Sequence, residues 1–178
     1  MANEQKKQSN NQIEKTPDEQ FQIRLNKLNE LREEGKDPFV ITKYDISAHA
    51  SEIKENFEAF EGNNVCIAGR LMQKRVMGKA SFCNVKDKTG GMQCYVARDF
   101  LGTDEYLDFK HLDLGDIVGV KGEIFKTKTG EISVHATEVK LLSKALRPLP
   151  EKYHGLQDTD ARYRQRYLDL TVNDDVRA

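Results

Sequence analysis

Between residues 64 and 98 apolar and polar side chains alternate with a period of two, the spacing of a half-buried strand. The segment reads NVCIAGRLMQKRVMGKASFCNVKDKTGGMQCYVAR and is cut by two turn signals. Gly78-Lys79 is the first. Asp87-Lys88-Thr89-Gly90-Gly91 is the second and suits a tight hairpin. Strands are therefore expected over 64–76, 80–86 and 91–98. The alternation resumes over 116–126 and 130–142, around a further glycine turn, Thr127-Lys128-Thr129-Gly130. The stretch 103–112 reads as a short helix or loop.

Three strands, a helical insertion and two more strands follow the order of an OB-fold, an all-β, five-stranded Greek-key barrel. Gly69, Gly119 and Gly122 suit the bends and bulges that let long strands serve both sides of a small barrel. Upstream, Thr16-Pro17-Asp18-Glu19 is a helix start: Thr16 caps, Pro17 fits the first turn and Glu19 completes a capping box. Phe21, Leu25, Leu28 and Leu31 recur at helical spacing up to Gly35. This helix is expected to pack its apolar stripe on the barrel, with Arg24, Lys27, Arg32 and Lys36 mostly off the stripe. A polar connector over 45–60 is expected to hold a short helix near Ser51–Phe60. The chain of 178 residues thus divides into a disordered tail (1–15), a helix and connector (16–62), the barrel (63–143) and a linker leading into a further helical segment (144–178). The capped helix begun at Asn173-Asp174 is too short to stand alone, so the chain is expected to be the front part of something longer.

Charge is uneven along this plan. The formal net charge is −1, yet residues 64–98 hold seven Lys or Arg against one acid, Asp87. Residues 99–119 hold six acids against Lys110. A basic face can therefore sit on a neutral protein and attract a polyanion. Three cysteines without close pairs, and four scattered histidines, argue against a disulfide framework or a metal site. They fit a reducing cytoplasm. No apolar run approaches the ~20 residues of a membrane span. Neither a phosphate-binding loop nor a nucleophile elbow occurs, and no catalytic constellation emerges.

If Cys83 and Val85 point inward, Phe82 and Asn84 point outward. Met92, Cys94 and Val96 inward place Gln93 and Tyr95 outward. Ile132, Val134 and Ala136 inward place Glu131, Ser133 and His135 outward. A ring, an amide and a carboxylate on a basic sheet suit an unpaired base. The ring stacks, the amide offers a donor and an acceptor to a base edge, and the carboxylate accepts from a base N–H. Lys74, Arg75 and Lys79, expected on the loop between the first two strands, can pair with phosphate. Alternation alone also permits Phe82 in the barrel core and Gln93 and Glu131 on a plain solvated face.

Several strings carry a resemblance. Val76-Met77-Gly78-Lys79-Ala80-Ser81-Phe82, Tyr95-Val96-Ala97-Arg98-Asp99 and Phe125-Lys126-Thr127-Lys128-Thr129-Gly130-Glu131 closely resemble the bacterial lysyl-tRNA synthetases of class II. So do Lys144-Ala145-Leu146-Arg147-Pro148-Leu149-Pro150, Lys152 to Asp158 and Arg162 to Leu170. The related aspartyl and asparaginyl enzymes share the barrel but carry other strings here. The resemblance covers about residues 17–178. It implies the N-terminal, anticodon-binding part of a cytoplasmic homodimeric ligase that joins lysine to its tRNA with ATP and Mg²⁺. It implies that Phe82 stacks on the central anticodon base and that Gln93 and Glu131 bond to base edges. Lys74 and Arg75 would hold the loop, and Arg24 would flank the RNA. The second and third catalytic motifs of that family are not among these residues, so this chain is expected to bind the tRNA(Lys) anticodon loop without a cofactor. The competing readings are a free-standing OB module for single-stranded nucleic acid and a protein-interaction scaffold. The former predicts several stacking rings along its groove, of which the sequence places only Phe82 and Tyr95 well.

Overall fold

The computed structural model describes residues 16–150, 158–173 and Val176. The expectations for the tail 1–15, for residues 152–157 and for a cap at Asn173-Asp174 lie wholly or partly outside them.

Helix α1 (Pro17–Glu33) opens as the capping box requires. The Thr16 hydroxyl accepts from the Glu19 amide at 3.3 Å, and the Glu19 carboxylate accepts from the Thr16 amide at 2.8 Å. Its buried residues are Leu28 and, against expectation, Arg24. A 3-10 turn (Pro38–Val40) and two short helices, α2 (Ala50–Glu55) and α3 (Phe57–Phe60), form the connector. Asp87, in the second hairpin, fastens α2 from outside: its carboxylate accepts from the Ala50 amide at 2.9 Å and from the Thr89 and Gly90 amides. Burial works against that charge, but these amides and the Thr89 hydroxyl hold the carboxyl below its usual range.

The barrel consists of β1 (Asn64–Met77), β2 (Ala80–Lys86), β3 (Gly91–Ala97), β4 (Ile117–Lys126) and β5 (Ile132–Ser143). It closes in the order β1-β2-β3-β5-β4. Only β3 and β5 run parallel; the other four pairings are antiparallel. Between β3 and β4 lie α4 (Arg98–Leu101) and α5 (Thr103–His111). The 14-residue β1 serves both sides of the barrel, pairing with β4 along its first half and β2 along its second. Two glycines permit this. A Cβ at Gly69 would lie 2.5 Å from the Lys86 carbonyl oxygen, and one at Gly122 would lie 2.0 Å from that of His135. Gly122 also sits at a register shift of β4, where strands must approach closely to turn the barrel's corner.

The interior is the apolar half of the alternation. Val65, Ile67 and Leu71 face Cys83, Val85, Met92, Cys94, Val96, Val118, Val120, Ile124, Val134 and Ala136, all buried. Tyr106 and Phe109 of α5 and Ile53 of α2 complete it. Each large aliphatic side chain sealed here contributes roughly 1.5–3 kcal/mol relative to exposure. Cys83 and Cys94 are directly opposed across β2 and β3. The hydrogen bond its thiol donates to Cys83, then burial, raises the Cys94 thiol well above its ordinary range, so it stays protonated at neutral pH.

Beyond the barrel, the expected helical segment is two pieces, α6 (Thr159–Arg164) and α7 (Arg166–Val172). Asp169 is buried there and accepts from Arg162 at 3.0 Å and Arg166 at 2.6 Å.

Candidate nucleic-acid interface

The outer face of the barrel is organised by register. Arg75 lies opposite Phe82, Phe82 opposite Tyr95, Tyr95 opposite His135, and His135 opposite Glu123. This row crosses all five strands. One pleat further on, Gln73, Asn84, Gln93, Ser133 and Phe125 form a second row. Their burial alternates with the core positions, so Phe82 and Gln93 stand on the wall, half-buried, as expected. Val134 and Ala136 point inward and His135 outward, also as expected. Ser133, on the outer side, is nevertheless fully buried, its hydroxyl donating to the Glu131 carbonyl at 3.3 Å.

The two rows bring rings together. Phe82 and Tyr95 have centroids 5.1 Å apart, Tyr95 and His135 5.2 Å, and Phe125 lies 5.8 Å from His135. From α4, Phe100 meets His135 edge-on at 4.1 Å. Such pairs hold one another's orientation and form a rigid apolar platform. Sequence reasoning found Phe82 and Tyr95 and put His135 outward, but it did not see one five-ring cluster. The signal for His135 was its phase in β5. Nothing local signals Phe100, because it sits on a four-residue helix. His135 also holds a buried Nε2 with no hydrogen-bond partner among the described residues. A buried polar atom left so costs of order 1–3 kcal/mol and is uncommon without a reason.

Cations border one end of the first row. Arg75 and Lys79 are exposed and form no ion pair with another described residue. The Lys79 carbonyl is tied down by the Arg98 amide at 2.9 Å, which fixes the turn. Glu131 precedes β5 by one residue and is exposed. Its amide donates to the Thr127 hydroxyl at 3.0 Å, and its carboxylate lies 4.0 Å from the Lys54 ammonium. Glu131 therefore flanks the face from a turn.

Two expected RNA contacts lie elsewhere. Lys74 is half-buried, its ammonium donating to the Lys110 carbonyl at 2.8 Å and to the Leu112 carbonyl, with the Phe109 ring 5.8 Å away. Burial lowers its pKa. The reason is register: Lys74 opposes Cys83, an interior position, whereas Arg75 opposes Phe82. Arg24 is likewise an internal fastener. Its guanidinium donates to the carbonyls of Leu114 at 3.1 Å, Ala145 at 2.9 Å and Arg147 at 3.3 Å. Beside it Lys144, only 5% exposed, bridges Asp113 at 2.6 Å and Asp116 at 2.8 Å. Burial opposes the charge of Asp113, but Lys144 and Lys27 hold its carboxyl below the usual range. The cavity of about 740 Å³ beside α1, lined by Ile23, Leu31, Val40, Phe109 and Leu141 among others, shares no residue with the ring-bearing rows.

Comparison with known proteins agrees with the barrel fold. Residues 65–142 match the tRNA anti-codon family, described as an OB-fold nucleic acid binding domain. Over 167 residues, 94% of its length, the chain is 49% identical to a lysine–tRNA ligase of Clostridium botulinum strain Hall, covering 33% of that protein. It is 48% identical over 177 residues to the lysine–tRNA ligase of Clostridium tetani, covering 99% of this chain and 35% of that one. With the lysine–tRNA ligase of Thermoanaerobacter sp. strain X514 it shares 52% over 159 residues, or 89% and 32% of the two chains. The chain thus spans about a third of the length of the curated relatives it matches.

Proposed function

We propose, from a chain whose barrel matches the OB-fold nucleic acid binding domain model and which aligns with lysine–tRNA ligases, that the ring-bearing face reads the tRNA(Lys) anticodon loop. The observation that carries this reading is the pair of cross-strand rows, which set Phe82 beside Gln93 with Arg75 opposite the ring. A base laid on Phe82 gains stacking, and the Gln93 amide can test its edge. Glu131 is the acceptor for a base N–H, reached by loosening its 4.0 Å contact with Lys54. Arg75 and Lys79 neutralise phosphate. Lys74 and Arg24 act indirectly: Lys74 anchors the strand that presents Arg75, and Arg24 anchors the segment leaving the barrel.

In the whole ligase this face would select the tRNA whose 3′ end receives lysine. That reaction, with its ATP and Mg²⁺, is assigned to the remainder of a cytoplasmic homodimer. Among the described residues no group of three or more His, Cys, Asp or Glu could hold a metal ion, and no helix is long and apolar enough to cross a membrane.

Five clustered rings also favour a second reading, a module that stacks single strands with little regard to sequence. Titrating a U-rich anticodon stem-loop against a C-rich one separates the two. The anticodon reading expects the U-rich loop to bind at least tenfold tighter. Equal affinities would leave only the sequence-tolerant module, and binding of neither would remove both.

A further inference from the structure

The segment that leaves the barrel is fastened more heavily than the barrel needs. β5 ends at Ser143, yet Lys144 is buried against Asp113 and Asp116, and the Ala145 amide donates to Oδ1 of Asp116 at 2.9 Å. Arg24 reaches from α1 to the carbonyls of Ala145 and Arg147. A Cβ at Gly115 (φ +98°) would lie 3.2 Å from Cβ of Ala145 and 3.4 Å from Cγ of Leu149, so the segment rests on that turn as far as Leu149. Pro148 and Pro150 restrict the backbone of the same stretch. The turn is tied in its other direction to β1. The Arg70 guanidinium donates to the Gly115 carbonyl at 2.8 Å, the Leu71 amide donates to the Asp116 carbonyl at 2.8 Å, and the Leu71 carbonyl accepts from the Gly115 amide at 2.8 Å. β1 is the strand that presents Arg75. Replacing a buried ion network by apolar side chains often leaves stability unchanged or raised. Stability alone therefore gives no reason for this one.

We propose that Arg24, Asp116 and Lys144 are positioning residues for tRNA charging. They aim the exit segment, residues 144–150, so that the reading face and the part of the ligase that follows it hold one tRNA as a single body. This inference rests on the anticodon assignment above and adds how reading is carried to the 3′ end. Anticodon and 3′ end lie at opposite ends of a tRNA, so a small tilt at the exit becomes a large displacement at the reacting atoms. A misplacement there of about 1 Å can cost roughly a hundredfold in rate.

The test uses the whole ligase that carries this chain. Two glycines inserted between Arg147 and Pro148 leave the Arg24 and Lys144 bonds in place and loosen the exit by up to ~7 Å. Arg24→Met keeps most of the bulk and removes the donor. In both, kcat/KM for charging tRNA(Lys) should fall by roughly ten- to a hundredfold. Pyrophosphate exchange with lysine and ATP in the absence of tRNA should keep its wild-type rate, and so should affinity for an isolated U-rich anticodon stem-loop keep its wild-type value. Loop affinity lost in step with charging would make the clasp a part of barrel stability and overturn the proposal. Charging at the wild-type rate in the glycine insertion would overturn it as well, and that variant decides alone if Arg24→Met does not fold. If the unaltered ligase shows no preference for the U-rich loop, the anticodon assignment beneath falls, and this inference with it.

Discussion

Lys74 and Arg75 are adjacent, both basic and both on β1, yet the structure gives them opposite duties. The Lys74 ammonium donates to two carbonyls at the end of α5, and hydrogen bonds from a charged group contribute ~1.5–3 kcal/mol each before the cost of burying it. Net of that cost, Lys74→Met should destabilise the fold by about 1–3 kcal/mol, a fall of roughly 3–10 °C in Tm. It should leave the salt dependence of RNA binding unchanged. Arg75→Ala removes an exposed side chain and should barely move Tm. It should delete one phosphate contact, lowering the slope of log K against log salt by ~0.7 for a single strand. Between 50 and 200 mM salt that is a difference of about 2.5-fold in how much affinity falls. Thermal melts followed by circular dichroism and a salt series of stem-loop titrations read both effects. A Lys74→Met variant that melts like wild type but loses the salt slope would mean that Lys74 leaves α5 for phosphate, and the register argument would be wrong.

Phe82→Ala should cost ~1–3 kcal/mol of stem-loop affinity with the far-ultraviolet spectrum intact; unchanged affinity would take the ring out of the site. Gln93→Ala should narrow the gap between U-rich and C-rich loops more than it lowers affinity for either, whereas a uniform loss would contradict edge reading. Gly122→Ala places a methyl 2.0 Å from a backbone oxygen and should destabilise by more than ~3 kcal/mol or prevent folding, checked by denaturant unfolding. Asp113 is held below its ordinary value of 3.8 by Lys144 and Lys27 against the effect of burial. As pH falls the unfolded chain takes up this proton first, so the stabilisation is complete above about 4 and disappears as pH drops through the folded value. Asp113→Asn should be less stable than wild type at pH 7, by less than the ~3–5 kcal/mol of a fully broken buried pair because Lys144 retains Asp116. The difference should close in acid; a gap that persists at pH 2 would assign it to packing.

Much of the fold was legible because period-two alternation and glycine turns are local properties. The first three strands end within a residue of their expected limits, and the capping box of α1 is written in four consecutive residues. Arg24 was legible too, and misread. It lies three residues after Phe21 and four before Leu28, on the buried line, but a guanidinium there makes sense only once the carbonyls of Leu114, Ala145 and Arg147 converge on it.

Alternation along the chain determined which side chains of each strand share a side, and so Phe82, Gln93 and Tyr95 could be paired before any coordinates. It did not determine what lies across from them. The parallel contact of β3 with β5, whose paired residues lie 40 positions apart along the chain, is what sets His135 beside Tyr95. The register slip between Leu71 and Gln73 is what turns Lys74 inward and Arg75 outward. Period two is written into each strand by its own residues. The offset between strands is chosen by barrel closure, which balances the burial of all five against one another.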